Sequence, residues 1–349
     1  MDGQSCKYDL AFKFEAGTSR GVLRQKTSWF IQLSRAGQKG IGECGILKGL
    51  SVEDFDSFDT NLKESLERYC KDSDDFEWSS INSFPSIKFG LEIAEKDFQS
   101  GGNGILFDNE FSQGKKSIPI NGLVWMGEYQ FMYDQIKEKI DNGFNCIKLK
   151  IGALDFEKEL SLLKYIRSEF DQTDIELRVD ANGAFSFKEA QEKLKRLSEF
   201  HIHSIEQPIR PGQWEEMAIL CEHTPLPIAL DEELIGISDF EQKNKLIQTI
   251  LPQYIILKPS LIGGFVSSEE WMEVANRNKV GYWITSALES NIGLNAIAQW
   301  TYGLDLDLPQ GLGTGQLYHN NFEGPLFIND GALHFNPEIS LYQEFSLFD

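Results

Sequence analysis

Residues 145–152 read NCIKLKIG, and how that stretch is read decides the fold. Ile147, Leu149 and Ile151 alternate with Lys148 and Lys150. In a strand the three apolar side chains therefore share one face and the two lysines the other. Either this is an amphipathic surface strand, or both ammonium groups point into a site where negative charge must compensate them. The neighbouring sequence bears on the choice. From about residue 119 onward, short apolar strands (GLVWM, CIKLKI, IELRVD, HSIEQP, PIALDE, YIILKP, GYWITSA) alternate with helical patterns such as DFEKELSLLKYIRSEF, SFKEAQEKLKRLSEF and SSEEWMEVANRNK. From Lys150 to Asp180 is 30 residues, to Glu206 a further 26, to Asp231 a further 25 and to Lys258 a further 27. Each interval is one βα unit. Seven consecutive units, with an eighth candidate at PQGLGTG, predict a closed barrel of the (β/α)8 type rather than an open doubly wound sheet. No G-x-G-x-x-G follows a strand, which weakens a dinucleotide-binding reading.

Residues 1 to about 118 are written differently. Strand-like DLAFKFEA and SWFIQLSR, the second followed by Gly-rich AGQKGIGECG, precede helical patterns at SVEDFDSFDTNLKESLERYC and SFPSIKFGLEIAEKDFQS. Strands followed by helices suggest an α+β unit. The tail, GPLFINDGALHFNPEIS, reads as strand–turn–strand and is expected to pack back on the N-terminal unit. The expected division is a cap of residues 1–118, completed by 322–349, and a barrel of residues 119–321.

The formal charge of −21 argues against nucleic acid or an anionic membrane as partner through the overall field, though a single pocket can still be basic. MDGQSCKYDLAFKF lacks a basic segment followed by an apolar core, and no apolar run approaches 18 residues, so neither a secretory signal nor a membrane span is expected. Five scattered cysteines without a CxxC read as reduced thiols in a cytoplasmic protein. The oligomeric state is not legible, and a homo-oligomer is compatible with all of this.

In such barrels chemistry sits at the C-terminal ends of the strands. There strand two carries Lys148 and Lys150, strand three Asp180, strand four Glu206, strand five Asp231 and strand six Lys258. Taken singly, each has an ordinary explanation. An Asp at a strand end often caps a helix, a K-x-K often faces solvent, and DANG makes a turn. Taken together, five successive units place ionisable groups at the same relative position with signs +, −, −, −, +. Three oxygen ligands on separate rigid strands suit a hard cation, Mg2+ rather than zinc. The acids compensate the lysines, and a nearby metal and neighbouring lysine are expected to push lysine pKa values down toward a general base's range.

These residues resemble the enolase superfamily, specifically its muconate-lactonizing-enzyme subgroup. The resemblance rests on the K-x-K pair, on Asp180, Glu206 and Asp231, and on Lys258, and it implies a (β/α)7β modified TIM barrel closed by an α+β capping domain. The mandelate racemase branch is disfavoured because strands six and seven give Lys258 and TSALES instead of an Asp/His pair. Within the subgroup the chain is most similar to the o-succinylbenzoate synthase family, through AGTSRGVLRQKTSWFIQL, RVDANGAF, ILKPSLIGG, SALESNIGL and GLGTGQLY. It lacks the Asp-x-Asp by which dipeptide epimerases hold an ammonium group, since Asp305 and Asp307 follow the seventh helix. The resemblance implies a Mg2+-dependent dehydration of 2-succinyl-6-hydroxy-2,4-cyclohexadiene-1-carboxylate, a small carboxylate substrate, with Mn2+ as a substitute metal. Lys150 is then the base and Lys258 the charge opposite, while Lys148 holds a carboxylate oxygen. Asp180, Glu206 and Asp231 become metal ligands, supported by Asn182, Gln207 and Glu232. Arg178, Ser260, Gly263, Ser286 and Glu289 are expected at the substrate, and Arg20 and Arg24 in the early loop are weaker candidates for its carboxylate. Glu233, next to Glu232, complicates the choice of Asp231 as ligand. His201 and His203 precede strand four and are expected at the far end of the barrel, as structural residues. The competing readings are an N-succinylamino acid racemase or dipeptide epimerase of the same subgroup, and a non-catalytic binding protein on an inactive barrel.

Overall fold

The computed structural model describes residues 1–18, 21–53, 55–343 and 345–348. Its first part is an antiparallel sheet of β1 (Asp2–Thr18), β2 (Gly21–Arg35) and β3 (Gln38–Gly45), in that order. Helices α1 (Phe58–Lys71) and α2 (Pro85–Gln99) pack on it. The Gly-rich stretch after SWFIQLSR is thus itself a strand. Its glycines serve close approach: a Cβ on Gly42 would lie 1.9 Å from the Gly90 carbonyl oxygen, and one on Gly40 2.2 Å from that of Ala94. The backbone of β3 therefore rests directly on α2, with Trp29, Ile31, Leu33, Leu62, Leu66, Ile87 and Leu91 filling the core around the contact.

After the short β4 (Ile118–Pro119) the alternation begins. The strands are β5 (Gly122–Val124), β6 (Cys146–Lys150), β7 (Glu176–Asp180), β8 (Ser204–Glu206), β9 (Ile228–Leu230), β10 (Tyr254–Leu257) and β11 (Gly281–Ile284). They form one parallel sheet in sequence order. Helices α3 (Tyr129–Asp141), α4 (Phe156–Glu169), α5 (Phe187–Ser198), α6 (Trp214–His223), α7 (Phe240–Ile250), the short α8 (Pro259–Ile262), α9 (Gly264–Arg277) and α10 (Asn291–Tyr302) connect them. The eighth position is closed by only two residues. Gln310 and Gly311 bridge in parallel to Ile120 on one side and Thr285 on the other. Backbone bonds Asn121 N to Gln310 O (2.9 Å) and Gly311 N to Ile284 O (2.8 Å) hold them there. The result is a (β/α)7β barrel.

The tail forms a hairpin, β12 (Leu326–Asn329) and β13 (Ala332–Phe335), turned at Asp330–Gly331 where both residues have positive φ. It does not pack back on the N-terminal unit as expected. β13 pairs with β4, and Gly331 bonds Asn142 and Ile120 beside the barrel. Only the flanking residues reach the first sheet: Phe322 and Phe345 stack on Phe30, and Tyr342 bonds Asp97 at 2.8 Å. Among the described residues no helix is long and apolar enough to cross a membrane, and all five cysteines are free thiols.

Candidate active site

Parallel pairing sets the site's geometry. Lys150, Asp180 and Glu206 are neighbours across β6, β7 and β8, so two acids and a lysine stand side by side at one level. Glu206 pairs with Ala229, which places Asp231 two residues beyond, just past the end of β9. The apolar residues of the opening stretch, Ile147, Leu149 and Ile151, are buried toward the helices. That sends Lys148 and Lys150 inward and answers the question those residues raise.

The side chains interleave. Lys148 Nζ lies 2.7 Å from Glu206 Oε2 and 3.5 Å from Asp180 Oδ2, with the side chain only 7% exposed. Lys150 Nζ donates to Asp180 Oδ2 at 2.9 Å and to Asn182 Oδ1 at 2.8 Å, with the Trp125 ring 6.0 Å away. Lys258 Nζ bonds Asp231 Oδ2 and lies 3.4 Å from Glu206 Oε1. Each ammonium thus touches a carboxylate, and Lys148 and Lys258 each bridge two. Burial opposes the charge on Lys148 and Lys258, but the carboxylates around them outweigh it and hold both above the usual lysine range. The downward shift expected from the sequence is therefore not found at these two lysines, because the acids rather than a second cation dominate. Asp180, facing three lysines, is held well below the usual carboxylate range despite its burial. Burial, with Asp180 and Asp231 close by, pushes Glu206 up to about 7. Asp231 is also raised, by burial and against the pull of Lys258.

The supporting residues sit where the chain turns off the strands. Asn182 and Gln207, each directly after or near an acid, have φ of 44° and 39°. Such strained turns are found where a site fixes its own geometry. Asn182 also donates to Glu232 Oε1 at 3.1 Å. Gln207 Oε1 accepts from the Asp231 backbone N at 3.2 Å, and its amide donates to Glu233 Oε2 at 3.0 Å. Glu233 is turned away from the site and accepts from Gly212 N at 2.7 Å, leaving Asp231 and Glu232 on the inner side.

A cavity of about 230 Å3 opens above these groups. Lys148, Lys150, Asp180, Asn182, Glu232 and Lys258 line its floor, and Ser286 with Thr285, Ala287 and Leu288 lines one wall. The first unit covers it with Val22, Leu23, Leu47, Lys48 and Leu50. Sequence reasoning missed these covering residues and Trp125. The apolar positions within GVLR and GILKGL, just off the strand ends, were the available signal.

Four expected substrate contacts lie elsewhere. Arg178 stands on the same face as Asp180 but two residues lower, and its side chain runs toward the bottom of the barrel. There it bonds Glu176 Oε1 (2.7 Å) and Pro309 O (2.9 Å) and stacks over Trp283 at 4.3 Å. Ser260 and Glu289 bond each other behind the cavity wall, and Glu289 also accepts from Ala287 N at 2.7 Å. Gly263, at φ 100°, ends α8 and faces Ser267 and Lys88. Arg24 pairs with Glu15 on the outside, and Arg20 lies outside the described residues. His203 stacks on Tyr254 and Trp283 at the bottom of the barrel, and Asp305 and Asp307 are exposed beyond α10.

A second buried group of charges fastens the cap unit to the barrel. Glu43 on β3 accepts from Ser290 N (3.0 Å), Ser290 Oγ (2.6 Å) and Gly293 N (3.0 Å) at the start of α10, and from Ser28 Oγ at 2.7 Å. Lys26 Nζ bonds Ser28 and lies 3.6 Å from Glu43. A carboxylate from one unit thus caps a helix of the other, where the helix dipole favours negative charge.

The donor set fits a hard divalent cation, being three carboxylates from adjacent strands with no sulfur or imidazole among them. As they stand, no three acids among the described residues are arranged as a ligand set. The ammonium groups of Lys148 and Lys258 sit between the carboxylate pairs instead.

Comparison with known proteins agrees with this geometry. The family "Enolase C-terminal domain-like" matches residues 132–338, and "MenC, N-terminal domain" matches residues 4–98. The chain is 48% identical to the o-succinylbenzoate synthase of Desulfotalea psychrophila, over 95% of this chain and 99% of that protein. The crystal structure of MenC from that organism superposes with a TM-score of 0.82 at 44% identity, covering 96% and 99% of the two chains. A dipeptide epimerase from Cytophaga hutchinsonii, complexed with Mg and a dipeptide, shares the fold at a TM-score of 0.81 and 21% identity, over 99% and 96% of the chains. The chain belongs to the enolase superfamily and, within it, to the o-succinylbenzoate synthase family of hydro-lyases.

Proposed function

We propose that this protein is an o-succinylbenzoate synthase that dehydrates 2-succinyl-6-hydroxy-2,4-cyclohexadiene-1-carboxylate in menaquinone biosynthesis. One observation carries the reading. Lys150 on the second strand and Lys258 on the sixth, opposite positions of an eight-membered barrel, both line the cavity, with the three acids on the strands between them. Asp180, Glu206 and Asp231 would hold Mg2+, or Mn2+ in its place, once Lys148 and Lys258 yield the space between them. Bound Mg2+ supplies the positive charge that lets the ring carboxylate accept electron density.

The chain's own residues do the rest. Lys150 Nζ removes the ring proton α to the carboxylate, and the C–H electron pair enters an enediolate. Lys258 faces that charge from the other side. Collapse of the enediolate breaks the C–O bond on the face that Lys150 serves, and the lysinium returns its proton to the departing hydroxide as water. Asn182 orients Lys150, and Lys148 fixes the carboxylates of Glu206 and Asp180. Aromatisation makes the elimination strongly downhill, so the site need lower only the first proton transfer. We further read the chain as a cap of residues 1–118, completed by 322–349, over a barrel of residues 119–321. The reaction belongs in the cytoplasm, a reading supported by the five free thiols.

The test gives purified protein Mg2+ or EDTA with the succinyl-hydroxycyclohexadiene carboxylate, and in parallel samples with N-succinyl amino acids and dipeptides in D2O. EDTA-sensitive aromatisation with slow or no exchange is expected. Exchange without dehydration would overturn the substrate and leave the metal and lysine roles standing.

A further inference from the structure

Resting on that reading, we infer that Lys48 of the cap is the specificity residue that binds the carboxylate at the end of the substrate's succinyl tail. Lys148, Lys150 and Lys258 with a divalent cation set five positive charges against the four carboxylates of Asp180, Glu206, Asp231 and Glu232. One net positive charge remains, and the ring carboxylate takes it up. The second carboxylate of the substrate needs another cation, and every lysine on the floor is already committed to an acid.

Lys48 is a cation on the opposite, covering side of the same cavity. It forms no ion pair among the described residues, and its closest charge-related contact is the Phe55 ring, 5.9 Å from Nζ. By contrast Arg24 is engaged by Glu15 and does not line the cavity. The loop that bears Lys48 is fixed. Leu50 N and Ser51 N both donate to Leu47 O at 2.9 Å, Leu47 N donates to Ser51 Oγ at 2.9 Å, and Gly49 takes φ 77°. Lys48 is therefore at the apex of a closed turn, and the apolar Leu47 and Leu50 on either side line the cavity beneath it. An apolar sleeve ending in an ammonium suits a chain of methylenes ending in a carboxylate, and the charge-assisted bond it offers is among the stronger kinds.

The experiment compares wild type, Lys48→Met and Lys48→Arg with the natural substrate and with an analogue carrying a butanoyl in place of the succinyl tail. Binding of 2-succinylbenzoate and 2-butanoylbenzoate is measured in parallel by calorimetry. We expect Lys48→Met to raise KM and weaken 2-succinylbenzoate binding about tenfold or more, with kcat within about threefold, and Lys48→Arg to restore most of both. On the butanoyl compounds wild type and Lys48→Met should coincide. An unchanged KM and product affinity in Lys48→Met, or an equal loss on the butanoyl compounds, overturns the role of Lys48 and leaves the synthase intact. Wild type that fails to aromatise the natural substrate overturns the synthase itself, and the tail site with it.

Discussion

Glu43 offers the sharpest test of how the cap is held over the chemistry. Replacing it with alanine removes the acceptor of Ser290 N and Gly293 N, two donors at the start of α10, and of the hydroxyls of Ser28 and Ser290. The hydroxyls can rotate to other partners, but the two amides cannot. A buried donor left without a partner costs roughly 1–3 kcal/mol, so the pair alone accounts for about 4 kcal/mol. Lys26, only 3% exposed, also loses its closest carboxylate. The neighbouring Glu289 limits that added cost. For a chain of this size about 4 kcal/mol corresponds to a fall in Tm of roughly 5 °C. Glu43→Gln keeps one acceptor oxygen and should lose about half as much. Adding Lys26→Met to Glu43→Gln should cost less than the two changes summed, because the double variant buries no unpaired charge. The assay is thermal unfolding of the four proteins with KM measured alongside. KM should rise in Glu43→Ala, since Val22, Leu23, Leu47, Lys48 and Leu50 cover the cavity from the unit that Glu43 fastens. A loss below about 1 kcal/mol in Glu43→Ala, or strict additivity with Lys26→Met, would refute the reasoning.

The other perturbations divide chemistry from architecture. Lys150→Ala and Lys258→Ala should each abolish dehydration while leaving the fold and Mg2+ binding largely intact, by circular dichroism and calorimetry; near-normal turnover in Lys150→Ala removes it as the base. Arg178→Met should lower Tm through the loss of Glu176, Pro309 and Trp283 contacts, yet leave KM within about twofold of wild type; a large KM increase would return Arg178 to the substrate. Glu92, whose carboxyl accepts from Phe265 N at the start of α9, is pushed by burial up to about 8. Between the ordinary value near 4.5 and about 8 the unfolded chain ionises this group while the folded protein keeps its proton. Its contribution is thus complete below about pH 4.5 and declines as pH rises through about 8, by up to about 1.4 kcal/mol per pH unit. Glu92→Gln should therefore gain Tm relative to wild type as pH goes from 5 to 8, and a pH-independent difference would contradict the burial argument.

The barrel and the ring of charges were legible because both depend on short-range regularities. A βα unit has a characteristic length, and a strand alternates with period two, so the recurrence of ionisable groups at strand ends could be counted. Arg178 marks the limit of that reading. Alternation assigns a side chain to a face but not to a height, and two residues along β7 are about 6.6 Å along the strand, enough to move a long side chain from the cavity to the barrel floor. Ser260 and Glu289 mark another limit. They stand on the right strands, but they bond each other behind the wall, in a buried group that also holds Lys26 and Glu43. Those two lie more than 200 residues away in sequence, and no local pattern announces that pairing. The tail hairpin was recognised from its Asp330–Gly331 turn, while its docking on β4 instead of the cap depended on a partner strand of two residues.

The position of the lysines changes how the charge pattern itself is understood. Read from the sequence, the acids serve the metal and the lysines serve the substrate, as two separate sets. In the structure they form one set, with Lys148 between Glu206 and Asp180, and Lys258 between Glu206 and Asp231. Buried carboxylates at this spacing need cations whether or not a metal is bound, since an uncompensated buried charge costs several kcal/mol. The lysines meet that need without a metal. A divalent cation taken by Asp180, Glu206 and Asp231 would release the ammonium groups toward the cavity. In the family mechanism those groups are needed there, one to move a proton and the other to face the developing anion. Folding and catalysis then make the same demand on Lys148 and Lys258, which is why a K-x-K that could pass for a solvated surface strand is found at the centre of the barrel.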